Sequence, residues 1–276
     1  MLAAALALLV LVASGCDGDD AAAPPPETTV PEETTPPTAE SSTFAVYLLR
    51  DDKIVALRRT VDSTSAVARA AVDELLAGPS LAEASDGLAT AIPEDTTLDD
   101  ISVADGVATV DLSGTFDDGG GSASMLGRVA QVVATLTQFP TIERVAFRID
   151  GEPVETIGGE GVVVDPPIGR KAIEEQSPQI LIESPLPGDT VSSPIRLRGT
   201  ANVYEATVSI EVRDETGTVV WEGFTTATSG TGTRGTFDTT IPLPDRGGPI
   251  EIVAFEASAE DGRPLHVAKV PVELTR

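Results

Sequence analysis

The chain has 276 residues, with 18 Lys and Arg against 44 Asp and Glu, a formal net charge of -26 and a hydrophobic content of 41%. That length has room for one large domain or two ordinary ones, and so acidic a surface repels phosphate backbones, which excludes nucleic acid as a natural partner. One cysteine, Cys16, and one histidine, His266, leave no intramolecular disulfide and no Cys/His zinc site, and they argue against a serine–histidine triad.

Residues 1–15 read as a signal peptide. Leu2 to Val12 is a nearly unbroken apolar run, short of the roughly 20 residues that span a bilayer but suited to a signal core. Ala13-Ser14-Gly15-Cys16 then places small residues directly before a cysteine. This segment resembles the bacterial lipobox, which implies a lipoprotein cleaved before Cys16, with the Cys16 thiol carrying a diacylglycerol of palmitate-type chains. At about 0.8 kcal/mol per buried methylene, two or three such chains hold a protein on the extracytoplasmic face of a cell membrane essentially for good. No Lys or Arg precedes the apolar run, so the translation start is expected upstream of Met1. Residues 16–42, from the lipidated cysteine on, are Pro, Thr, Glu and Ala with almost no large apolar side chain. Such a stretch cannot offset the entropy of ordering, and it is expected to be a disordered stalk reaching at most roughly 80 Å. Its threonines beside prolines are candidates for O-glycosylation.

Residues 43–166 carry the signals of a first folded domain. Phe44 to Leu49 and Ile54 to Val61 form a hairpin about Asp51-Asp52. A helix follows, capped by Ser63 or Thr64, with the stripe Val67, Ala71, Leu75 and Leu76 and a stop at Gly78-Pro79. After a loop ending at Ile92-Pro93, strands Leu98 to Val103 and Val107 to Leu112 flank the tight turn Asp105-Gly106. Gly119-Gly120-Gly121 leads to a second helix, capped near Ser122 or Ser124, with Leu126, Val129, Val132, Val133 and Leu136 on its apolar face. Ile142 to Ile149 is a further strand, and Gly151 turns the chain toward a shorter one at Val162 to Val164. The order ββαββαβ predicts an α+β fold with two helices on one face of a mostly antiparallel sheet.

Several blocks in this domain, in this order, resemble the GerMN domain of sporulation and spore-germination proteins. They are Leu75-Leu76-Ala77-Gly78-Pro79, Ile92-Pro93, Asp105 through Ser113, Thr135 through Pro140 and Val145 through Gly151. The resemblance implies an extracytoplasmic bacterial protein, commonly a lipoprotein. It also implies a kinship with the ring-building domains of envelope machines, and hence self-association. It brings no catalytic residue.

Pro166-Pro167 through Ser177-Pro178 is a composition break, and residues 167–178 read as a linker. From residue 179 to 276 short Val-, Ile- and Thr-rich runs alternate with Gly, Pro and Asp turns. They are Ile180 to Glu183, Ile195 to Ala201, Ala206 to Arg213, Val219 to Thr225, Gly235 to Ile241, Pro249 to Ser258 and Val267 to Leu274. About seven strands in about 100 residues predict an all-β sandwich of immunoglobulin type. Asp214-Glu215-Thr216-Gly217 is a hairpin turn, and Trp221 is the expected large core residue. The block Ile182 through Ile195, followed by Leu197 through Ala201, is similar to the immunoglobulin-like domain that accompanies GerMN in spore-germination-related and envelope proteins.

Candidate chemistry is sparse. Gly119-Gly120-Gly121 before a helix has no lysine at phosphate-loop spacing and reads as a flexible loop. Asp99-Asp100 and Asp117-Asp118 could meet at one end of the sheet around Ca²⁺, but neither pair fits a calcium-loop spacing, so no metal and no cofactor are expected. His266 reads as a surface or strand-edge residue, and 4% aromatics disfavour a sugar-stacking platform. The expectation is therefore no enzyme, but a lipid-anchored binding or assembly module among envelope proteins, related to sporulation and germination by family only. A peptidoglycan-binding lipoprotein is the alternative, and a cell-wall glycan hydrolase a distant one.

Overall fold

The computed structural model describes residues 40–276 apart from 160 and 244–245, so the signal peptide, Cys16 and the stalk lie outside the described residues. The chain is mostly β with few helices, and Ala39–Arg276 forms one compact unit.

The first hairpin joins β1 (Ser41–Arg50) to β2 (Lys53–Asp62). Asp51 and Asp52 both adopt positive φ, 50° and 59°, as the twist of a two-residue hairpin demands. Phe44 to Leu49 are all buried, because an unbroken apolar run is covered on both faces rather than one. Helix α1 (Val67–Leu76) buries Ala71, Val72 and Leu75. Its N-cap is Ala66, not Ser63 or Thr64. The Thr64 hydroxyl instead accepts from the Ala66 amide at 3.0 Å, which fixes the turn before the helix. The expected loop to Ile92 contains a short helix, α2 (Leu81–Ser85), held by a capping box in which Ser80 and Glu83 exchange side-chain to backbone bonds.

Strands β3 (Leu98–Ala104) and β4 (Val107–Leu112) pair antiparallel, and β4 pairs parallel with β5 (Arg144–Ile149). The two-residue strand β6 (Glu152–Pro153) closes this four-stranded sheet. The β1–β2 hairpin is a sheet of its own, as is the small pair β7 (Thr156–Ile157) and β8 (Val162–Val163). The single mostly antiparallel sheet expected from the sequence is thus divided. The reason is α3 (Ser122–Leu136), which packs against α1, β1, β2 and β5 and is buried at Met125 and from Gly127 through Leu136. Its N-cap is Gly121, not a serine. At Gly127 α3 comes close to its neighbours: a Cβ there would lie 3.1 Å from both Ala91 and Leu49 side-chain carbons.

The remainder is a sandwich of two sheets. The strands are β9 (Ile180–Ser184), β10 (Thr190–Ser192), β11 (Ile195–Ala201), β12 (Thr207–Asp214), β13 (Val219–Thr226), β14 (Gly235–Ile241), β15 (Gly248–Ala257) and β16 (Pro264–Thr275). One sheet runs β10-β16-β15-β12-β13 and the other β14-β11-β9. The short β10, absent from the sequence reading, pairs parallel with the end of β16. Ile180, Ile195 and Leu197 are the largest fully buried side chains here. Trp221 is not. It stands half-buried on the edge strand β13, packed against the margin of the sandwich core and lying over Gly223, where a Cβ would come within 2.6 Å of its ring.

Candidate functional site

Strand β9 belongs to both cores. Ile180 and Ile182 enter the sandwich core, whereas Leu181 joins the core of the first fold together with Leu186 and Ile173. Period-two alternation puts these neighbours on opposite faces, so one face of the sandwich serves as packing surface for the α+β fold. The segment expected as a linker is a short 3₁₀ stretch, Arg170–Gln176, that ties both sides. From it Glu174 accepts from Arg234 Nε at 2.8 Å and from Asn202 Nδ2 at 3.0 Å, both in the sandwich. Lys53 of β2 donates to the Glu175 carbonyl.

At the centre of this junction stand Tyr47, Arg170 and Glu183. The Tyr47 hydroxyl donates to Glu183 Oε1 at 3.0 Å and accepts from Arg170 Nη2 at 3.2 Å, while Arg170 Nη1 lies 2.7 Å from the same carboxylate oxygen. The Arg170 guanidinium stacks 5.0 Å above the Tyr47 ring and also donates to Thr137 Oγ1 and the Ala134 carbonyl. Burial pushes the Tyr47 hydroxyl well above its ordinary 10.0, helped by the Glu183 charge and opposed by Arg170. It is therefore a permanent donor at physiological pH.

Beside this cluster a cleft of about 640 Å³ opens between the two folds. Phe44, Ala45 and Gln138 line one wall, and Arg198, Thr200, Thr236 and Asp238 the other. Most of its charges are paired. Asp238 is paired with Arg196 at 2.5 Å, Asp189 with Arg58 at 3.6 Å, and Arg234 with Glu174. Arg198 is exposed and makes no ion pair within 4.0 Å among the described residues. Such a cleft can hold a polar segment.

Residues 45–155 match the Germane family, described as sporulation and spore germination, and residues 179–263 match Gmad2, an immunoglobulin-like domain of bacterial spore germination. The chain carries a Germane domain followed by a Gmad2 domain. Both are sporulation- and germination-related by family. The first GerMN domain of the sporulation protein GerM from Bacillus subtilis is similar at 25% identity, over 47% of this chain and 98% of that one, with a TM-score of 0.41. The tandem GerMN domains of the same protein are 18% identical over 74% of this chain, with a TM-score of 0.43. The match spans 62% of that tandem chain, less than two thirds of its length. No curated protein matches the chain.

Within the Germane domain the two acidic pairs are put to separate uses. Asp99 accepts from Thr97 Oγ1, Asp100 faces Arg69 at 3.6 Å, and Asp117 accepts from the Gly158 amide. Among the described residues no group of three or more His, Cys, Asp or Glu is arranged around a common point. The Gly119-Gly120-Gly121 loop is not loose. Arg128, 4% exposed, donates to the carbonyls of Ala91, Phe116, Asp118 and Gly119 at 2.6 to 3.0 Å and pins it down. In the sandwich His266 sits half-exposed on β16 at φ 52°, within the bulge that strand makes opposite Phe255, with Nε2 3.8 Å from Glu256. Cys16 lies outside the described residues.

Sequence reading missed Tyr47, Arg170 and Glu183. Two signals were there. Arg170-Lys171 is a rare cationic pair in an acidic chain, and Glu183 ends the apolar run Ile180 to Ile182.

Proposed function

We propose that this chain is a lipid-anchored, extracytoplasmic module that binds or assembles with other proteins of the cell envelope without catalysing a reaction. The observation that carries the reading is the two-faced strand β9. It merges a Germane and a Gmad2 domain into one body whose outer surface is composite, a construction suited to presenting a fixed surface to a partner. The apolar run Leu2 to Val12 and the small residues before Cys16 supply the address. Acylation of Cys16 holds the module on the membrane, residues 17–42 carry it away from the lipid, and residues 43–166 and 179–276 do the binding. The acidic surface keeps the body off anionic headgroups.

In-cell crosslinking of the tagged full-length chain, compared with its Cys16→Ser variant, tests this. The expected result is capture of one or a few envelope proteins by the parent, with a membrane-bound N-terminus bearing diacylglycerol. The variant should leave the membrane fraction and lose the capture. Capture of wall fragments alone, with retention on purified sacculi, would replace this reading with peptidoglycan binding.

A further inference from the structure

Several sheet edges among the described residues are closed by specific devices. The free edge of β1 is occupied by side chains of α3 and of Gln138 just past its C-cap. Gln138 exchanges bonds with both the amide and the carbonyl of Ala45, Thr135 Oγ1 accepts from the Tyr47 amide, and Gln131 Nε2 donates to the Tyr47 carbonyl. The next open residue, Leu49, pairs with Ala89. The edge of β3 carries Asp99 and Asp100 and a register shift. On β14, Thr228 bonds both backbone groups of Thr236, and β10 has 3 residues. Natural sheets use such devices to keep other strands off.

Strand β13 (Val219–Thr226) is bulged at Val220, where its register to β12 shifts, but over Trp221–Thr226 its pairing is regular, with Glu222 as its single charge. The Ala227 amide bonds the Ala206 carbonyl, and the register continues Thr207↔Thr226 and Ser209↔Phe224. Alternation in an antiparallel ladder then turns the N–H and C=O groups of Glu222, Phe224 and Thr226 away from β12, toward the open side. Phe224 is 71% exposed on the outer face. Glu205 and Glu215, in the connections near the two ends of β13, and Glu222 are exposed and join no ion pair among the described residues.

We propose that β13 is a docking edge that accepts one extended strand from a protein partner. The strand places a Lys or Arg across from Glu222 and an apolar side chain across from Phe224, two residues apart on one face. Charge decides the occupant. The carboxylates along β13 and a net charge of -26 attract a basic strand, whereas a second copy would bring the same carboxylates and the same net charge against themselves. Main-chain bonds would supply the attachment, and the alternate side chains the choice of partner. The proposal does not depend on the lipid anchor.

A capped octapeptide, Lys-Thr-Val-Thr-Lys-Thr-Val-Thr, is the probe, with its fully N-methylated counterpart as the control of equal charge. The full-length chain reports in two ways: through amide exchange at Glu222, Phe224 and Thr226, and through the fluorescence of Trp221, its single tryptophan on the same strand. Protection of those amides and a Trp221 shift with the unmethylated peptide alone are expected, with binding at least tenfold weaker to Phe224→Pro. Proline there removes an outward-facing donor, which an edge position tolerates. Glu222→Lys leaves the backbone unaltered and should also weaken binding, so a misfolded proline variant leaves the question decidable. Equal binding of both peptides, or full binding to Glu222→Lys, would overturn the proposal. Protection of the same amides that grows with protein concentration and needs no peptide would give the edge to a second copy and overturn it as well.

Discussion

The buried polar and charged side chains of this chain, Thr96, Arg128, Gln131 and Thr135, all lie in the Germane domain and none among the described residues of the Gmad2 domain. The sandwich needs none, because in two regular sheets the backbone groups of each inner strand are met by its neighbours. The Germane domain sets a two-stranded hairpin against a buried helix, and there the edge of β1 and the loop at Gly119 have no strand to face. Polar side chains from α3 take the strand's place. Irregular topology is thus compensated by side-chain chemistry, and each domain should fail through a different kind of mutation.

The sharpest way to break that contrast is Arg128→Met. Four carbonyls lose their donor at once, and one buried unsatisfied group already costs about 1–3 kcal/mol. The variant should lose about 3 kcal/mol or more in denaturant unfolding. A loss below 1 kcal/mol would show that water replaces the guanidinium and that the polar scaffold is dispensable. Among the described residues of the sandwich no polar side chain is buried in this way, so damage there must come from cavities.

Strand β9 offers the next largest effect and separates the two cores with neighbouring residues. Leu181→Ala and Ile182→Ala should each cost about 2–4 kcal/mol. Their consequences should fall on opposite sides: hydrogen exchange should quicken in β1 and β2 for the first, and in β11 and β14 for the second. Identical exchange patterns would mean that the two domains unfold as one unit. A smaller effect belongs to Gln131→Leu, which frees the Tyr47 carbonyl and the Ala91 amide and should cost about 2 kcal/mol. Adding Thr135→Val should cost less than its own single change, since both serve Tyr47.

The same contrast governs what the sequence discloses. The sandwich was legible strand by strand, because alternation with Gly and Asp turns is a local signal, and only the 3-residue β10 escaped it. In the Germane domain the longer strands and two main helices were equally plain, and the two-residue β6 and β7 were not. Their assembly was not: an apolar run such as Phe44 to Leu49 says that a strand is buried on both faces, but not that a helix lies along its edge. Gln131 and Thr135 sit at i and i+4 in the otherwise apolar second half of α3, with Gln138 at i+7 just past the C-cap, and that polar stripe is a pattern open to reading. The S-x-x-E signature at Ser80 and Glu83 was open as well. Trp221 does pack on the sandwich core, but from an edge strand that leaves it half-buried, and that placement is set by pairing that only the folded chain reveals. The junction cluster depends on residues 123 and 136 positions apart, beyond any local rule. Cys16 is readable only from sequence.

Tyr47 gives the smallest effect and the one specific to the junction. Its hydroxyl is neutral and buried in the folded chain, whereas in the unfolded chain it ionises near 10. Because the folded value is raised, its contribution is fully present below pH 10 and is lost as pH rises toward the folded value, for the unfolded chain then holds fewer protons. Tyr47→Phe should cost about 1 kcal/mol at neutral pH, the worth of an ordinary buried hydrogen bond. The parent's disadvantage above pH 10 should vanish in the variant, so the two stability curves converge and then cross in alkali. The chain has two tyrosines, Tyr47 and Tyr204, and an absorbance titration of the parent should show one of them delayed until unfolding, a step that Tyr47→Phe removes. Parallel stability curves across that range would show that the hydroxyl ionises without penalty and that Arg170, rather than burial, governs it.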